Sequence, residues 1–415
     1  MLKSLNRFLW NGVKRLSREQ QRQGKSLVKS LIKASTIKPI KIAKAKAPRV
    51  KAAGAKSATT SPRAKPRVAS PPGTVRLSKP RVGRALAPAS LQPPGLWSRF
   101  YQSASSTDHR ASPRRMEYWL YIPDGVKKDL MPLVVMLHGC EQSASQFAQG
   151  TRMNQLAAKK GFAVLYPQQS RKENASRCWN WYDKTNQDGG GEASMIVGVV
   201  QKVREKFPID ASRIYIGGMS AGAAMANIIA LRHPQLIAAV GLHSGAVFGE
   251  AQSALGAIAV MQHGSRNANF GTLHAALGGA GAQQKIPAIL IHGERDFVVR
   301  SVNMAHAAKQ FRVLNQLSGE SDEPVISEHP RVATASQSRN AYKTFDYFDG
   351  RKLIVRVCEI AQLDHAWSGG DCSLRFNACE GPDASLMMWN FFALHRRVGR
   401  RPVATDAFAA RALTA

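Results

Sequence analysis

The sequence predicts an α/β domain with a mostly parallel sheet flanked by helices, preceded by a long, basic and largely disordered N-terminal segment. Three observations carry this prediction. From residue 112 onward, short apolar runs alternate with helical patterns. Those runs are continuously apolar, which marks strands covered on both faces, as in a parallel sheet. Before residue 112 the text changes to Lys, Ala, Pro, Arg and Ser, too poor in apolar side chains to offset its ordering entropy.

The elements follow in order. Residues 117–122 and 133–137 read as strands, and 144–160 as a helix with Phe147, Met153, Leu156 and Ala157 on one face. Residues 162–166 form a strand, 192–207 a helix, 213–216 a strand and 221–232 a helix. Strands are expected at 238–242 and 287–291, with a Gly/Ala-rich stretch between them. A helix over 303–317, a strand pair at 344–348 and 353–360, and a closing amphipathic helix over 383–396 complete the domain, set at 112–397. Residues 398–415 read as a flexible tail.

Charge separates the two parts. The chain of 415 residues carries a formal charge of +32. Residues 1–100 hold 24 Lys and Arg against a single acid, Glu19, so most of the excess belongs to one segment and not to the folded body. Within it, Leu2, Leu5, Leu9, Val13 and Leu16 recur at helical spacing with Lys3, Arg7, Lys14 and Arg18 off the stripe. Residues 1–34 are therefore expected to form a basic amphipathic helix, and 35–111 a disordered linker. The helix pattern lacks the apolar core of a Sec signal, and no Arg-Arg pair supports a twin-arginine signal. A solubilising tail and an electrostatic anchor for an anionic granule, membrane surface or nucleic acid are the two main readings of this head, and a mitochondrial transit peptide, which shares its acid-poor composition, ranks below them because the segment is long and rich in Lys and Pro. No apolar run approaches the ~20 residues of a spanning helix.

The strand at 213–216 runs into Gly217-Gly218-Met219-Ser220-Ala221-Gly222. This is G-x-S-x-G directly after a strand and before a helix. A sharp turn there lifts a serine hydroxyl clear of the sheet, and flanking glycines avoid Cβ clashes. The structural alternative is an ordinary βα turn whose serine caps the helix. Its partners argue against that. A serine needs a histidine to take its proton, and the histidine needs an acceptor behind it. Asp296, just past the strand at 287–291, is the candidate acid, with Glu294 as the alternative. His365, after the last strand and before the closing helix, is the candidate base. His138 belongs to another motif, His292 precedes the acid, and His233, His274, His306 and His395 fall on expected helices. His138-Gly139-Cys140 ends the strand at 133–137, so the Cys140 and Ala221 N–H groups are the candidate oxyanion hole. A chain that only held granules or DNA through its head would have no physical need of all three side chains.

Taken together, Leu137-His138-Gly139-Cys140, Cys178-Trp179-Asn180-Trp181, the Ser220 motif, His292-Gly293 with Asp296, His365-Ala366-Trp367-Ser368-Gly369 and Gly381-Pro382-Asp383-Ala384 resemble the polyhydroxybutyrate depolymerase family of esterases. The resemblance covers about residues 115–396. It implies an α/β-hydrolase fold and hydrolysis of carboxylic esters through an acyl-enzyme. The implied substrate is a short-chain polyhydroxyalkanoate polymer or oligomer, with a feruloyl or acetylxylan ester, or simple carboxylic esters, as the alternative. Trp179, Trp181 and Trp367 are expected to wall the substrate pocket or, with equal weight, to be core aromatics.

Secreted degraders of this family carry a signal peptide and a C-terminal surface-binding domain. The sequence reads as having neither, which points to a cytoplasmic, granule-associated enzyme, with an extracellular one as the alternative. Cys140 and Cys178, both in family motifs, are expected to meet beside the site. Cys372 and Cys379 are placed to close a short loop, and Cys358 reads as a buried hydrophobe. In the cytosol all would stay thiols. No zinc spacing occurs, so no metal and no cofactor are expected.

Overall fold

The computed structural model describes residues 92–103, 115–125, 130–266, 270, 284–317, 323–334 and 338–397. The expected helix over 1–34, the linker up to residue 91 and the tail at 398–415 lie outside the described residues. In chain order the elements are β1 (Gly95–Ser103), β2 (Arg115–Pro123), β3 (Met131–Leu137), α1 (Ala144–Thr151), α2 (Met153–Lys160) and β4 (Ala163–Gln168). They continue with α3 (Lys184–Gln187), α4 (Gly191–Lys206), β5 (Ile209–Met219), α5 (Ala221–Arg232), β6 (Ala239–His243), α6 (Ala254–His263) and β7 (Ala288–Gly293). The last are α7 (Val302–Leu314), β8 (Val325–His329), β9 (Val332–Ala333), β10 (Ser338–Arg339), β11 (Tyr342–Asp349), β12 (Lys352–Ile360) and α8 (Ala384–Phe392). Among the described residues no helix is long and apolar enough to cross a membrane.

Ten strands form one sheet in the order β1-β2-β4-β3-β5-β6-β7-β12-β11-β8. The six from β4 to β12 are parallel, and antiparallel strands extend both ends. Successive residues of each central strand enter opposite cores. Leu133, Val135, Ile214, Ile216 and Leu290 pack with α4, α5, α6 and α7. Val134, Met136, Tyr215 and Ile289 pack with α1, α2 and α8. Both faces are thus covered, which is why these strands read as unbroken apolar runs.

Three expectations are corrected. The linker was set at 35–111, yet β1 lies inside it and pairs along its whole length with β2. Trp97 stacks on Trp119 at 5.1 Å and Phe100 on Tyr118 at 5.5 Å, so aromatic cross-strand pairs order a segment whose surroundings are rich in Lys and Pro. The single helix at 144–160 is two, broken at Arg152 (φ 55°). The carbonyls at the break are taken from outside the helix: Gly150 O accepts from Asp371 N at 2.8 Å, and Thr151 O from Ser385 Oγ at 2.6 Å. The Gly/Ala-rich stretch before β7 contains α6, capped by Ser253, whose Oγ accepts from Gly256 N at 3.1 Å.

Candidate active site

The C-terminal ends of β3, β5, β6, β7 and β12 meet at one edge of the sheet, where open parallel sheets present their functional loops. β5 ends at Met219, α5 starts at Ala221, and Ser220 between them sits at φ 56°, ψ −122°. That region is costly for a residue with a Cβ and is held here by its neighbours. Gly222 lets the elbow close: a Cβ there would fall onto the carbonyl oxygens of Leu137 and His138. Ser220 N donates to His243 O at 3.0 Å, and Ser220 is 5% exposed. Its pocket is lined by Cys140, Cys178, Trp181, Ala221, Met261 and Val299.

The loop after β3 is fixed by side chains. His138 Nδ1 donates to Gly139 O at 2.8 Å, and its Nε2 accepts from Gln169 N at 3.1 Å. Burial lowers the His138 pKa to about 4, so it stays neutral and serves as a strut. Gly139 N donates to Gln142 Oε1 at 2.8 Å, and Cys140 forms a disulfide with Cys178. No hydrogen bond among the described residues occupies the N–H of Cys140 or of Ala221. Glu192 anchors the loop on the other side of the disulfide. Its buried carboxylate, pushed up by desolvation, accepts from Asn180 N at 2.8 Å, Asn180 Nδ2 at 2.6 Å and Gln169 Nε2 at 2.6 Å. Trp181, the next residue, is thereby set against the pocket.

Asp296 and His365 come together from loops 69 residues apart. His365 Nδ1 lies 2.7 Å from Asp296 Oδ2, both residues 3% exposed. Asp296 Oδ1 accepts from Val298 N at 3.0 Å and Val299 N at 2.9 Å. Burial alone would raise the Asp296 carboxyl, but the facing His365 and His292 and these N–H donors outweigh it and hold it below its ordinary value. Glu294, the alternative acid, is exposed.

His243, at the end of β6, ties the two halves. Its carbonyl takes the Ser220 N–H, and its Nε2 accepts from Ser368 N at 3.3 Å. Its ring stacks on Trp367 at 5.0 Å, and burial lowers its pKa to about 3. Neither His243, His292 nor Glu192 was singled out as functional from sequence. The signal for the first two was their place at the ends of central parallel strands; nothing local marks Glu192. Trp179 and Trp367 are fully buried and do not line the pocket. Their indole N–H groups are spent on His138 O (3.1 Å) and Ser385 Oγ (3.2 Å), so they are core aromatics, and only Trp181 of the three faces the pocket. Cys372 and Cys379 form a second disulfide and Cys358 is a buried free thiol. Among the described residues no cluster of His, Cys, Asp and Glu is arranged to hold a metal ion.

The family model for the esterase PHB depolymerases matches residues 116–323. The chain belongs to that family. Poly(3-hydroxyalkanoate) depolymerase C of Paucimonas lemoignei is 32% identical over 219 residues, 52% of each chain. Feruloyl esterase B of Thermothelomyces thermophilus is 33% identical over 150 residues, 36% of this chain and 50% of its own. The chain thus spans about half the length of the curated relatives it matches. An acetyl xylan esterase from Aspergillus awamori superposes with a TM-score of 0.52 at 19% identity, over 64% of this chain and 94% of that one. The shared fold is the α/β-hydrolase fold.

Proposed function

We propose that this esterase-family chain is a serine hydrolase of carboxylic esters, with Ser220 as nucleophile, His365 as base and Asp296 as the acid that orients it. The buried 2.7 Å contact between His365 Nδ1 and Asp296 Oδ2 carries the reading. It places the proton of neutral His365 on Nδ1 and leaves Nε2 bare to accept. As Ser220 Oγ bonds to the ester carbon, its proton passes to His365 Nε2. The carbonyl oxygen becomes an oxyanion facing the Cys140 and Ala221 N–H groups, donors of a kind worth ~3–4 kcal/mol in the transition state. Collapse expels the alcohol, which takes the proton from His365, and water repeats the sequence on the acyl-enzyme.

The preferred substrate is a short-chain hydroxyalkanoate ester, as polymer or oligomer. The depolymerase relative supports this, as does a pocket walled by Trp181, Met261 and Val299. The feruloyl esterase relative, 33% identical over a shorter stretch, favours a carbohydrate-ester substrate as the second reading. The basic residues 1–91 would hold the enzyme on an anionic granule surface. The two disulfides favour the extracellular alternative, in which the head would meet released polymer and not a storage granule.

Release of 3-hydroxybutyrate from purified amorphous granules tests the reading. The full chain, a chain lacking residues 1–90 and Ser220→Ala are compared; cutting later would remove β1. Release that needs Ser220 and drops without the head supports a granule-docked depolymerase. Ferulate or acetate release without 3-hydroxybutyrate replaces the substrate and keeps the chemistry.

A further inference from the structure

Asp296 has more partners than an acid that only orients a base requires. Its Oδ1 is filled by two N–H groups of its own turn, Val298 and Val299. Its Oδ2 faces two imidazoles: His365 Nδ1 at 2.7 Å and His292 Nε2 at 3.4 Å. His292 Nε2 also lies 2.7 Å from Val299 O. His292 is 1% exposed, the penultimate residue of β7, four residues before the acid.

These contacts settle the tautomer. A backbone carbonyl and a carboxylate only accept, so the atom facing both must carry hydrogen, and His292 is an Nε2–H donor. Burial lowers its pKa, with Asp296 opposing only in part, so the second ring nitrogen stays bare and the ring neutral. His365 meets the same carboxylate oxygen through the other ring nitrogen. Oδ2 therefore receives an Nδ1–H from His365, while the His292 Nε2–H is bonded to Val299 O and stands beside the same oxygen at 3.4 Å.

We propose that His292 is a positioning residue for the acid–base pair: its Nε2–H holds Val299 O, which fixes the turn whose N–H groups bind Asp296 Oδ1, and the same N–H stands 3.4 Å from Asp296 Oδ2, where it moderates the carboxylate's pull on His365. This rests on the assignment of Ser220, His365 and Asp296 given above. The bond to Val299 O extends the role, because Val299 lines the Ser220 pocket and follows Asp296 in the same turn. One ring thus holds the acid and a stretch of pocket wall at a set distance.

The consequence is electrostatic. The positive end of an N–H beside Oδ2 offsets part of the charge that would otherwise stabilise a proton on His365. Without it, the inactivating proton binds more tightly. The other titratable groups facing the pair do not obscure this. His243, from β6, is held by burial to about 3 and stays neutral across the assayed range. Asp296 is held below its ordinary value and is charged there.

The test is the pH profile of kcat/KM on a soluble p-nitrophenyl ester for the full chain and for His292→Phe, His292→Gln and His292→Asn, each with its melting temperature. Phe removes the donor. Gln returns an N–H at the reach of Nε2, whereas Asn places one too short. The acid limb is expected to move up by about half a unit to one unit in His292→Phe and His292→Asn, a loss of roughly three- to tenfold below the limb. It should return in His292→Gln. A folded His292→Phe with a lower plateau but an unmoved limb overturns the proposal, as does a Gln variant that shifts as far as Phe. If His292→Phe does not fold, the Gln–Asn difference decides. Ser220→Ala in the same assay separates the two claims: turnover without Ser220 sinks the esterase reading itself, while a dead Ser220→Ala beside an unmoved limb sinks only the role of His292.

Discussion

The two halves of the site are held by different means. The nucleophile half, from β5 through Ser220 into α5, is set by backbone: a residue at φ 56°, a glycine where any Cβ would strike a carbonyl oxygen, and N–H groups at a helix start. The acid–base half, the loops after β7 and β12, is set by buried side chains. Asp296 and His365 are joined by a hydrogen bond with His292 beside them, and His243 stacks on Trp367 and accepts from Ser368 N. Backbone-held geometry tolerates no change of residue shape. Side-chain-held geometry tolerates shape changes and fails when a donor, acceptor or proton is lost.

The sharpest break is Ser220→Ala, which removes the attacking atom and leaves both frameworks standing. A fall in kcat of about 10^4-fold or more is expected, with the melting temperature little changed. Single-turnover release of p-nitrophenol measures it. Gly222→Ala attacks the backbone frame instead. Its Cβ would fall onto Leu137 O, so the oxyanion loop must move away from Ser220. Loss of one well-placed oxyanion donor costs about 10^2–10^3 in kcat, and that range is expected here with KM little affected. A Gly222→Ala enzyme of near-normal kcat would mean that the elbow is not held as described.

The contrast also explains what could be read from sequence. The elbow was legible because its backbone demands particular residues, Gly218, Ser220 and Gly222, at a fixed spacing after an apolar run. The alternation of apolar runs and helical patterns gave the parallel core, since both faces of β3 to β7 are covered. Asp296 and His365 were reachable through chain order and strand ends. The roles of His243, His292 and Glu192 were not, because each is defined by partners far along the chain. Ser368 N meets His243 across 125 residues. β1 was hidden for the same reason: its order comes from pairing with β2, while its neighbours in sequence look unfoldable.

Acid stresses buried imidazoles on both sides of the site. His138 and His243 are held to about 4 and 3 by burial, against about 6.5 in an unfolded chain. A lowered value means that the unfolded chain takes up protons first. The stability these rings contribute is complete above about pH 6.5 and is lost as pH falls toward their folded values. At pH 5 each costs up to about 2 kcal/mol. Asp296 adds nothing in this window, because its stabilisation is lost only below the ordinary carboxylate range. Urea unfolding at pH 7.5 and pH 5 should show the loss, and His243→Gln should remove part of it.

The smallest expected effects separate the tryptophans. Trp367→Phe keeps the ring between Phe147 and His243 but abandons the indole bond to Ser385 Oγ. That bond sits in a relay, since Ser385 in turn donates to Thr151 O at the α1–α2 break. Loss of about 1 kcal/mol of stability is expected, with KM unchanged. Trp181→Phe keeps an aromatic wall yet narrows its reach over the pocket, so KM for a p-nitrophenyl ester should rise a few-fold at unchanged stability, as about 1 kcal/mol of lost contact implies. The two substitutions are chemically the same, so only position can separate their effects. If Trp367→Phe changed KM and Trp181→Phe did not, the pocket would lie on the His243 side of the site, and the wall assigned to Trp181 would have to be moved there.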